Sequence, residues 1–315
     1  MVKKSILITG GLGYLGGQLS RYFLGAGFNV IIGTSRKSAE LPQCLRGCDL
    51  ALIDLTDIDS LKSCCSEIEF VIHLAALNAS SSKKNPKLAV EINGIGTLNL
   101  IEASIASKVR YFLYFSTAHI YGTLTGVIEE KNLPKPSHPY SITHRLAEDF
   151  LLSSIESKKI KGSIIRLSNA IGAPVTKEAD CWTLYSNEVS KQAVINRQII
   201  IKSNPDMQRD FISISAICEV VDSILNKQPN AEFPVYNLGS GSSISLLDFA
   251  EIIVIQCQEL FNFSPKLIYS SDEKKNTAPL IYKIDKLVSE IGYKPANNLV
   301  SSVNEILEFC DSEFN

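Results

Sequence analysis

The stretch "ITGGLGYLGG", residues 8–17, decides the fold. It continues the apolar run of residues 5–9 and places Gly10, Gly13 and Gly16 at the spacing G-x-x-G-x-x-G. Glycines let a backbone approach a pyrophosphate closely, and the amides in the first turn of a helix stabilise its charge. Because the motif lies between a predicted strand and a predicted helix, it predicts a dinucleotide site in an α/β domain.

Short apolar segments alternate with helical patterns through the first half of the chain. The helical patterns run over residues 88–107 and 140–157. The apolar segments are nearly uninterrupted, as strands buried on both faces of a parallel sheet must be, and they are "SILIT", "NVIIG", "LALID", "FVIHLA", "YFLYFS" and "GSIIRL". This alternation predicts an α/β fold with a doubly wound parallel Rossmann sheet.

The pattern changes after about residue 170. The later strand segments are "QIIIK", "RDFISI" and "PVYNLGSG", and helical stretches lie near 183–197, 214–227, 246–257 and 299–312. We therefore predict a nucleotide-binding Rossmann domain over residues 1–170, with returning segments near 209–240. A smaller, mixed α/β substrate-binding lobe, discontinuous in sequence, would occupy residues 171–315. The site is expected in the cleft between them, at the carboxyl ends of the strands.

The composition limits the classes of partner. Of the 315 residues, 45% are hydrophobic and 20% are charged, which is typical of a globular protein. The formal net charge of −2 indicates no basic surface, so neither nucleic acid nor an anionic membrane is expected as a partner. The eight cysteines lack the spacing of a zinc ribbon, and we expect reduced thiols in a cytoplasmic protein.

The end of the second predicted strand, in "NVIIGTSRK" (residues 29–37), indicates the cofactor. A site for NAD(H) places an acidic residue there, which accepts a hydrogen bond from the ribose 2′-hydroxyl. Thr34 stands in that place, and Ser35, Arg36 and Lys37 follow it. Two cations and a hydroxyl suit a 2′-phosphate, so NADP(H) is expected rather than NAD(H). The alternative is an ordinary pair of solvated cations.

Two further strand ends are expected to line the same cofactor. Asp54 and Leu55 would bracket the adenine, and the segment "HLAA" (residues 73–76) would line the pyrophosphate and the nicotinamide side. His73 itself is expected to be packed within its strand rather than to act in catalysis.

These segments together resemble the extended short-chain dehydrogenase/reductase family, in its group of nucleotide-sugar epimerases, dehydratases and reductases. The resemblance covers nearly the whole chain, and its landmarks are "TGGLGYLG", "HLAA", "EINGIGTLNLIEA", "FSTAHIYG", "PYSITH", "RLSNAIG", "RDFISI", "YNLGSGSSISLLDFAEII" and "IDKLVSEIGYKP". It implies an NAD(P)-dependent enzyme that transfers hydride between a nicotinamide and a sugar carbon while a tyrosine moves the hydroxyl proton.

The resemblance also implies the roles of individual residues. Thr117 would hydrogen-bond the reacting sugar oxygen, and Tyr140 would be the acid/base. Asn93 would lie near the nicotinamide half of the cofactor. Asn169 and Arg209 would hold the substrate diphosphate, and a guanidinium suits that task because it binds phosphate oxygens bidentately. The alternative for Arg209 is an ion pair with a neighbouring carboxylate.

One further substrate contact and the full set of cofactor contacts complete the expected site. Lys274 or Lys275 would add a further contact to the substrate phosphates. The complete set expected at the cofactor is Gly10, Gly13, Tyr14, Leu15, Gly16, Ser35, Arg36, Lys37, Asp54, Leu55, Leu74, Ala75, Ala76, Asn93, Ser116 and His144.

His144 departs from the family pattern. One helical turn after Tyr140 and on the same face, the family carries a lysine, which lowers the tyrosine pKa and binds the nicotinamide ribose hydroxyls. A unit charge at about 4 Å is worth about 4 kcal/mol at an effective dielectric constant near 20, or roughly three pKa units. Imidazole is mostly neutral at physiological pH and cannot supply this field. A high tyrosine pKa harms proton donation to a ketone less than proton removal from an alcohol.

We therefore expect an NADP(H)-dependent reductase of a nucleotide-linked keto sugar, with a nucleotide-sugar 4-epimerase as an alternative. A further alternative is a non-catalytic NADP(H)-binding protein, because the lysine is absent. A 4,6-dehydratase fits less well, since Ala118 and His119 stand where that group carries an Asp-Glu pair. His119 is expected either to face the substrate as a different proton donor or to pack beneath the site.

A metal site is weighed because His119, His138, His144 and Glu148 fall within 30 residues. Zinc would require these side chains to converge while Tyr140 had no role, so no metal is expected.

Assembly is the last expectation. By resemblance, the helical segments 88–107 and 140–157 would pack against those of a second subunit in a four-helix bundle, giving a homodimer. The alternative is that both faces simply cover the sheet.

Overall fold

The computed structural model describes residues 3–269, 278–296 and 298–315. In chain order, the strands of these residues are β1 (Ser5–Thr9), β2 (Asn29–Thr34), β3 (Asp49–Leu52), β4 (Phe70–His73), β5 (Tyr111–Thr117), β6 (Gly126–Ile128), β7 (Gly162–Leu167), β8 (Asn169–Ile171), β9 (Gln198–Ile200), β10 (Gln208–Ser213), β11 (Val235–Leu238), β12 (Ser243–Ser245), β13 (Lys266–Ile268) and β14 (Leu280–Tyr282). The α-helices are α1 (Tyr14–Gly25), α2 (Ile58–Cys65), α3 (Ala79–Lys84), α4 (Pro86–Ala89), α5 (Gly96–Ala106), α6 (Pro139–Glu156), α7 (Tyr185–Asn196), α8 (Ile214–Lys227), α9 (Leu246–Phe261) and α10 (Leu299–Phe314).

A seven-stranded parallel sheet forms the centre of the fold, in the order β11-β7-β5-β4-β1-β2-β3. The chain runs outward from β1 through β2 to β3 and then returns to place β4 on the other side of β1. This reversal opens a crevice at the carboxyl ends of β1 and β4, where ligands bind in sheets of this kind. The prediction of a doubly wound parallel sheet is confirmed.

Both faces of the sheet are covered, which explains the uninterrupted apolar strands. Side chains of one parity, such as Ile8 and Ile165, pack in a core cluster with α1 and α8. Those of the other parity, such as Leu7 and Ile164, pack with α2, α5 and α6. Because nearly every residue of the central strands is buried, their sequence shows a continuous apolar run rather than an alternation. The expectation is wrong for β3, an edge strand whose residues are exposed or half-buried.

A third core cluster lies in the later part of the chain. It joins α7, α9 and α10 to β8, β9 and β10. β10 and β8 are parallel while β12 is antiparallel, so this three-stranded sheet is mixed. Within the segment 209–240, β11 instead joins the edge of the central sheet beside β7. The division of the chain at residue 170 stays a prediction.

The helical stretch predicted over residues 88–107 is not one continuous helix. A π-helical turn over Val90–Ile95 separates α4 from α5. Asn93 lies in this turn and is buried. Isolated π turns inside helices are frequent at functional sites, because they redirect a side chain. Within the described ranges, no helix combines the length and the apolar character needed to cross a membrane.

Candidate active site

The glycine-rich turn is shaped to receive an anion. Gly10 has φ +70°, and its carbonyl oxygen accepts a hydrogen bond of 2.8 Å from the amide of Gly13. A Cβ at Gly16 would overlap the carbonyl oxygen of Gly10, so only glycine allows this close approach. Gly13 caps α1 without a side-chain hydrogen bond, and the first turn of the helix carries no acidic residue. The amides of this turn are therefore available to a phosphate.

A cavity of about 390 Å³ extends from this turn past the end of β2. Leu12 and Arg36 line it together with Glu40 and Glu178. Thr34, where an acidic residue was sought, is buried, and its hydroxyl accepts a hydrogen bond of 3.2 Å from the amide of Arg36. Sequence reasoning missed the two glutamates. Glu178 gave no local signal because it belongs to a loop after β8 that is distant in the chain, whereas Glu40 lies in the same loop as Arg36 and could have been found.

The other residues expected at the adenosine end differ in exposure. Ser35 and Lys37 are exposed, as is Asp54. The carboxylate of Asp54 accepts hydrogen bonds from the amide and the hydroxyl of Thr56, which lower its pKa. Leu55 is buried and packs in the core. β3 ends at Leu52, so Asp54 lies two residues beyond the strand rather than at its last position.

The loop after β4 is fixed from two sides. The amides of Leu74 and Ala75 each donate a 3.2 Å hydrogen bond to the hydroxyl of Thr9, whereas Ala76 is exposed. The Asn93 carboxamide accepts from the amide of Leu77 at 2.7 Å and donates to the hydroxyl of Thr143 at 3.1 Å. Asn93 therefore connects this loop to α6. If the nicotinamide half of a cofactor lies here, as expected, Asn93 supports the loop beside it.

Thr117 and Tyr140 meet at the carboxyl end of β5. Thr117 is its last residue, and Tyr140 lies in the first turn of α6, whose N-cap is His138. The Nδ1 atom of His138 accepts a hydrogen bond of 3.2 Å from the Tyr140 amide. Burial raises the pKa of Tyr140 to about 12, and a hydrogen bond to Thr117 offsets only part of this rise. The phenol is therefore protonated at neutral pH.

His144 lies against Tyr140, as the one-turn spacing requires. Their ring centroids are 4.4 Å apart in an edge-to-face arrangement. Burial, and then the influence of His119, lowers the pKa of His144 to about 4. The ring is thus neutral at physiological pH and supplies no positive charge to Tyr140. Its Nδ1 atom is 2.7 Å from the hydroxyl of Tyr114, a residue that sequence reasoning did not single out. The available signal was the position of Tyr114 on β5, on the strand face that α6 covers.

Two buried polar atoms near this point have no hydrogen-bond partner within the described residues. They are the hydroxyl of Ser116 and Nε2 of His144. An unpaired buried polar atom costs about 1–3 kcal/mol, so a polar ligand placed here would relieve that cost. Together with the open amides of the glycine turn, this donor set fits a dinucleotide.

Further along the cleft lie the residues expected to bind substrate. The Arg209 guanidinium lies over the ring of Tyr185, 5.9 Å from its centroid, and makes no ion pair with any residue that the structure describes. The adjacent Asp210 instead accepts hydrogen bonds from Ser168 and from the Ser240 and Gly241 amides. The expectation of a structural ion pair for Arg209 therefore finds no support among those residues.

His119 and Asn169 complete this side. His119 keeps a solvent-exposed surface rather than being packed beneath the site. Neighbouring side chains nevertheless desolvate its imidazole, and this, followed by the nearby Arg209 and His138, lowers its pKa. The Asn169 amide donates a hydrogen bond of 2.8 Å to the carbonyl of Asp210. Lys274 and Lys275, which were also expected here, lie outside the described residues.

Three of the side chains weighed as metal ligands, those of His138, His144 and Glu148, have other partners. Glu148 is fully buried, and Arg166 donates two hydrogen bonds to its carboxylate, of 3.1 and 2.8 Å. Arg145 donates a further bond of 3.2 Å. No group of three or more His, Cys, Asp or Glu side chains within the described part of the chain is arranged to hold a metal.

This fold and this site define an enzyme of the extended short-chain dehydrogenase/reductase type. The model of the NAD dependent epimerase/dehydratase family matches residues 6–239, and the chain belongs to that family.

Relatives and solved structures agree with this assignment. The chain is 28% identical to the UDP-glucose 4-epimerase of Drosophila melanogaster over 287 residues, which cover 80% of this chain and 81% of that protein. It superimposes on a UDP-N-acetylglucosamine 4-epimerase from Methanobrevibacter ruminantium, in complex with UDP-N-acetylmuramic acid, with a TM-score of 0.84, 21% identity and full coverage of both chains. The UDP-glucose 4-epimerase of Thermus thermophilus in complex with NAD gives a TM-score of 0.80 at 20% identity, covering 97% of this chain and 98% of that one.

Proposed function

We propose that this protein reduces a keto group on a nucleotide-linked sugar, with NADPH as the hydride donor. The observation that carries the proposal is the raised pKa of Tyr140, about 12, beside a neutral His144. At neutral pH the phenol therefore keeps its proton. A group of that pKa donates a proton readily to a developing alkoxide, but loses its proton too rarely at neutral pH to be an efficient base.

The residues of this chain divide the reaction between them. When bound, a reduced nicotinamide would supply a hydride to the carbonyl carbon of the sugar. Tyr140 would give its proton to the carbonyl oxygen, so that the product is an alcohol, and the phenol would regain a proton from solvent. Thr117 donates a hydrogen bond to the same oxygen and holds it within reach of the phenol. His144 and Ser116 offer their unpaired polar atoms to the cofactor.

The substrate is a nucleoside diphosphate sugar in this proposal. Arg209 would bind the diphosphate bidentately, which is consistent with a guanidinium that has no carboxylate partner in the described part of the chain. Asn169 would contribute beside it on β8. His119 is near enough to Arg209 for that cation to lower its pKa, so in this proposal it would contact the sugar ring as a neutral donor or acceptor.

The preference for NADPH rests on Arg36 and Lys37 at the end of β2. Both side chains are exposed and can approach a 2′-phosphate. Because residue 34 is a threonine, no carboxylate at that position repels the phosphate. Glu40 and Glu178 line the same cavity and act against a second negative charge. We therefore expect a moderate preference for NADPH over NADH rather than exclusion of NADH.

A 4-epimerase is the second candidate, because several relatives of this chain are UDP-glucose or dTDP-L-rhamnose 4-epimerases. Such an enzyme oxidises and then reduces the same carbon on one retained cofactor. It requires Tyr140 to act as a base in the first half, and the neutral His144 works against that step.

The assembly of the protein can be tested independently of its activity. We propose a homodimer, since Leu88, Val90, Ile95 and Ile142 are exposed and belong to the helical segments 88–107 and 140–157. Sedimentation of the wild-type chain and of Ile142→Lys should give a dimer and a monomer, respectively. A monomeric wild-type protein would contradict this part of the proposal.

The reductase and the epimerase differ in a direct assay. Purified protein is mixed with NADPH and with UDP-, dTDP-, CDP- and GDP-linked 4-keto sugars, and absorbance of NADPH is followed. We expect oxidation of NADPH in proportion to the alcohol formed. Oxidation at background level with all four, together with interconversion of C4 epimers by protein that retains bound dinucleotide, would establish the epimerase instead. Binding of NADPH without either reaction would indicate a non-catalytic binding protein.

A further inference from the structure

Three buried rings form a column beneath the reacting pair. The ring of His73 on β4 stacks on that of Tyr114 on β5, with centroids 5.6 Å apart and an interplanar angle of 29°. Tyr114 stacks in turn on His144 of α6, at 5.9 Å and 26°. All three side chains are buried, so water does not provide their hydrogen bonds. Their polar atoms must be satisfied within the protein or by a ligand.

The two imidazoles of this column differ in their partners. In His73 both nitrogens are satisfied, Nδ1 by the hydroxyl of Thr9 at 2.7 Å and Nε2 by that of Thr97 at 2.9 Å. In His144 only Nδ1 has a partner, the hydroxyl of Tyr114. Nε2 of His144 has no partner among the described residues, even though the residue is buried, with only 3% of its surface exposed. His73 is therefore a completed structural element, and His144 is not.

Counting hydrogens assigns the tautomer of His144. If the Tyr114 hydroxyl donates to Nδ1, the neutral ring carries its hydrogen on Nε2, and one buried atom remains unpaired. If Nδ1–H donates to Tyr114 instead, the phenol hydrogen and the Nε2 lone pair both remain unpaired, because His144 is the only partner of Tyr114 in the described part of the chain. Each unpaired group is costly in a buried site, so the first arrangement is favoured.

The ionisation states are compatible with this assignment. Burial raises the pKa of Tyr114 well above its ordinary value, and burial lowers that of His144. Tyr114 is therefore always a phenol with one hydrogen to give, and His144 is a neutral ring with one hydrogen to place.

We infer that Tyr114 is a positioning residue, which fixes His144 as its Nε2–H tautomer and so leaves one neutral donor available to the bound dinucleotide. This inference rests on the proposed function, because it assigns the acceptor to a hydroxyl oxygen of the nicotinamide half of the cofactor. The lysine of the family is a charged donor that can rotate. In this chain, the same position holds a neutral donor whose direction is fixed by a second residue.

The first test is made on the unmodified protein without ligand. Side-chain ¹⁵N chemical shifts of histidine separate Nδ1–H from Nε2–H tautomers, and the chain has only four histidines. His144→Gln identifies the signal of His144 by its loss. We expect a protonated Nε2 and an unprotonated Nδ1 at pH 7.5. A hydrogen on Nδ1 of His144 in the wild-type protein would overturn the inference.

The second test removes the hydroxyl and keeps the ring. In Tyr114→Phe we expect a mixture of the two tautomers and a dissociation constant for NADPH about twofold higher by calorimetry, because only the fraction with a hydrogen on Nε2 can donate to the cofactor. Tyr111→Phe is the matched control, because Tyr111 is buried on the same strand and its hydroxyl lies 2.6 Å from that of Ser163, away from His144. It should change neither the ¹⁵N shifts nor the affinity.

The outcomes separate this inference from the proposed function. If the wild-type protein binds neither NADPH nor NADH, the proposed function fails, while the ¹⁵N shifts still decide the role of Tyr114. If the wild-type protein binds and Tyr114→Phe retains both the tautomer and the affinity, the inference fails and the proposed function stands.

Discussion

The two ends of the proposed cofactor cleft differ in what holds their side chains. At the nicotinamide end, Thr117 and His144 are buried and their states are set by neighbouring rings and hydroxyls. At the adenosine end, Arg36 and Lys37 are exposed, and water screens their charges. A change at the first end alters protonation in a medium of low dielectric constant, whereas a change at the second alters a screened attraction. We therefore expect effects to diminish from the nicotinamide end to the adenosine end.

The largest effect is expected for Tyr140→Phe. Loss of the only proton donor of the proposed mechanism should lower kcat by about 10²–10⁴-fold, the usual contribution of general acid catalysis. The affinity for NADPH should change little, because the ring that packs against His144 is kept. Steady-state kinetics with a nucleotide-linked keto sugar, together with calorimetry of NADPH, would measure both.

Tyr22→Phe serves as the control for this variant, since Tyr22 lies on α1 and packs at the edge of a core cluster away from the cleft. It should retain wild-type kcat. Wild-type turnover in Tyr140→Phe would show that Tyr140 is not the proton donor. The larger effect expected at the nicotinamide end would then have no basis.

A smaller effect is expected in the pH dependence of stability. The folded-state pKa of His144 is about 4, below its ordinary value of 6.5. The unfolded chain therefore binds more protons between these two values, and the free energy of unfolding falls as pH decreases through this window. The contribution of His144 to this loss is about 2 kcal/mol between pH 7 and pH 5. His73, with a folded pKa of about 3, adds a loss of the same sign.

Urea denaturation at pH 7 and at pH 5 measures this term. In His144→Asn the loss of stability on acidification should be smaller than in the wild-type protein by about the amount attributed to His144. An identical loss in the two proteins would mean that His144 is not held neutral by burial, and the contrast between the two ends would be weaker than the structure indicates.

At the nicotinamide end, the sequence predicted the local motifs better than the contacts between elements that are distant in the chain. The glycine spacing, the apolar strands and the one-turn spacing of Tyr140 and His144 are local patterns, and they located the cleft and the facing pair of rings. Tyr114 could not be identified as the partner of His144, because their hydrogen bond depends on how α6 packs on β5. The break of the helix at Val90–Ile95 also carries no local signal.

The adenosine end shows the same limit from the other side. Arg36 was evident from its position at the end of a strand. Glu178 was not, since it reaches the cavity from a loop more than a hundred residues further along the chain. Local patterns therefore identify what each strand presents, whereas the charge balance of a cavity depends on contacts between distant segments.

The smallest effect is expected at the adenosine end. Arg36→Ala should weaken binding of NADPH by about tenfold and leave binding of NADH nearly unchanged, because only NADPH carries the 2′-phosphate. Glu178→Gln, a substitution of similar size in the same cavity, should act in the opposite direction and tighten NADPH by a few-fold, since it removes a like charge. Both changes should shrink when calorimetry is repeated in 0.5 M salt (about 4 Å of Debye length), as expected for exposed charges. Equal losses of NADPH and NADH in Arg36→Ala would indicate that Arg36 supports the loop rather than reads the phosphate.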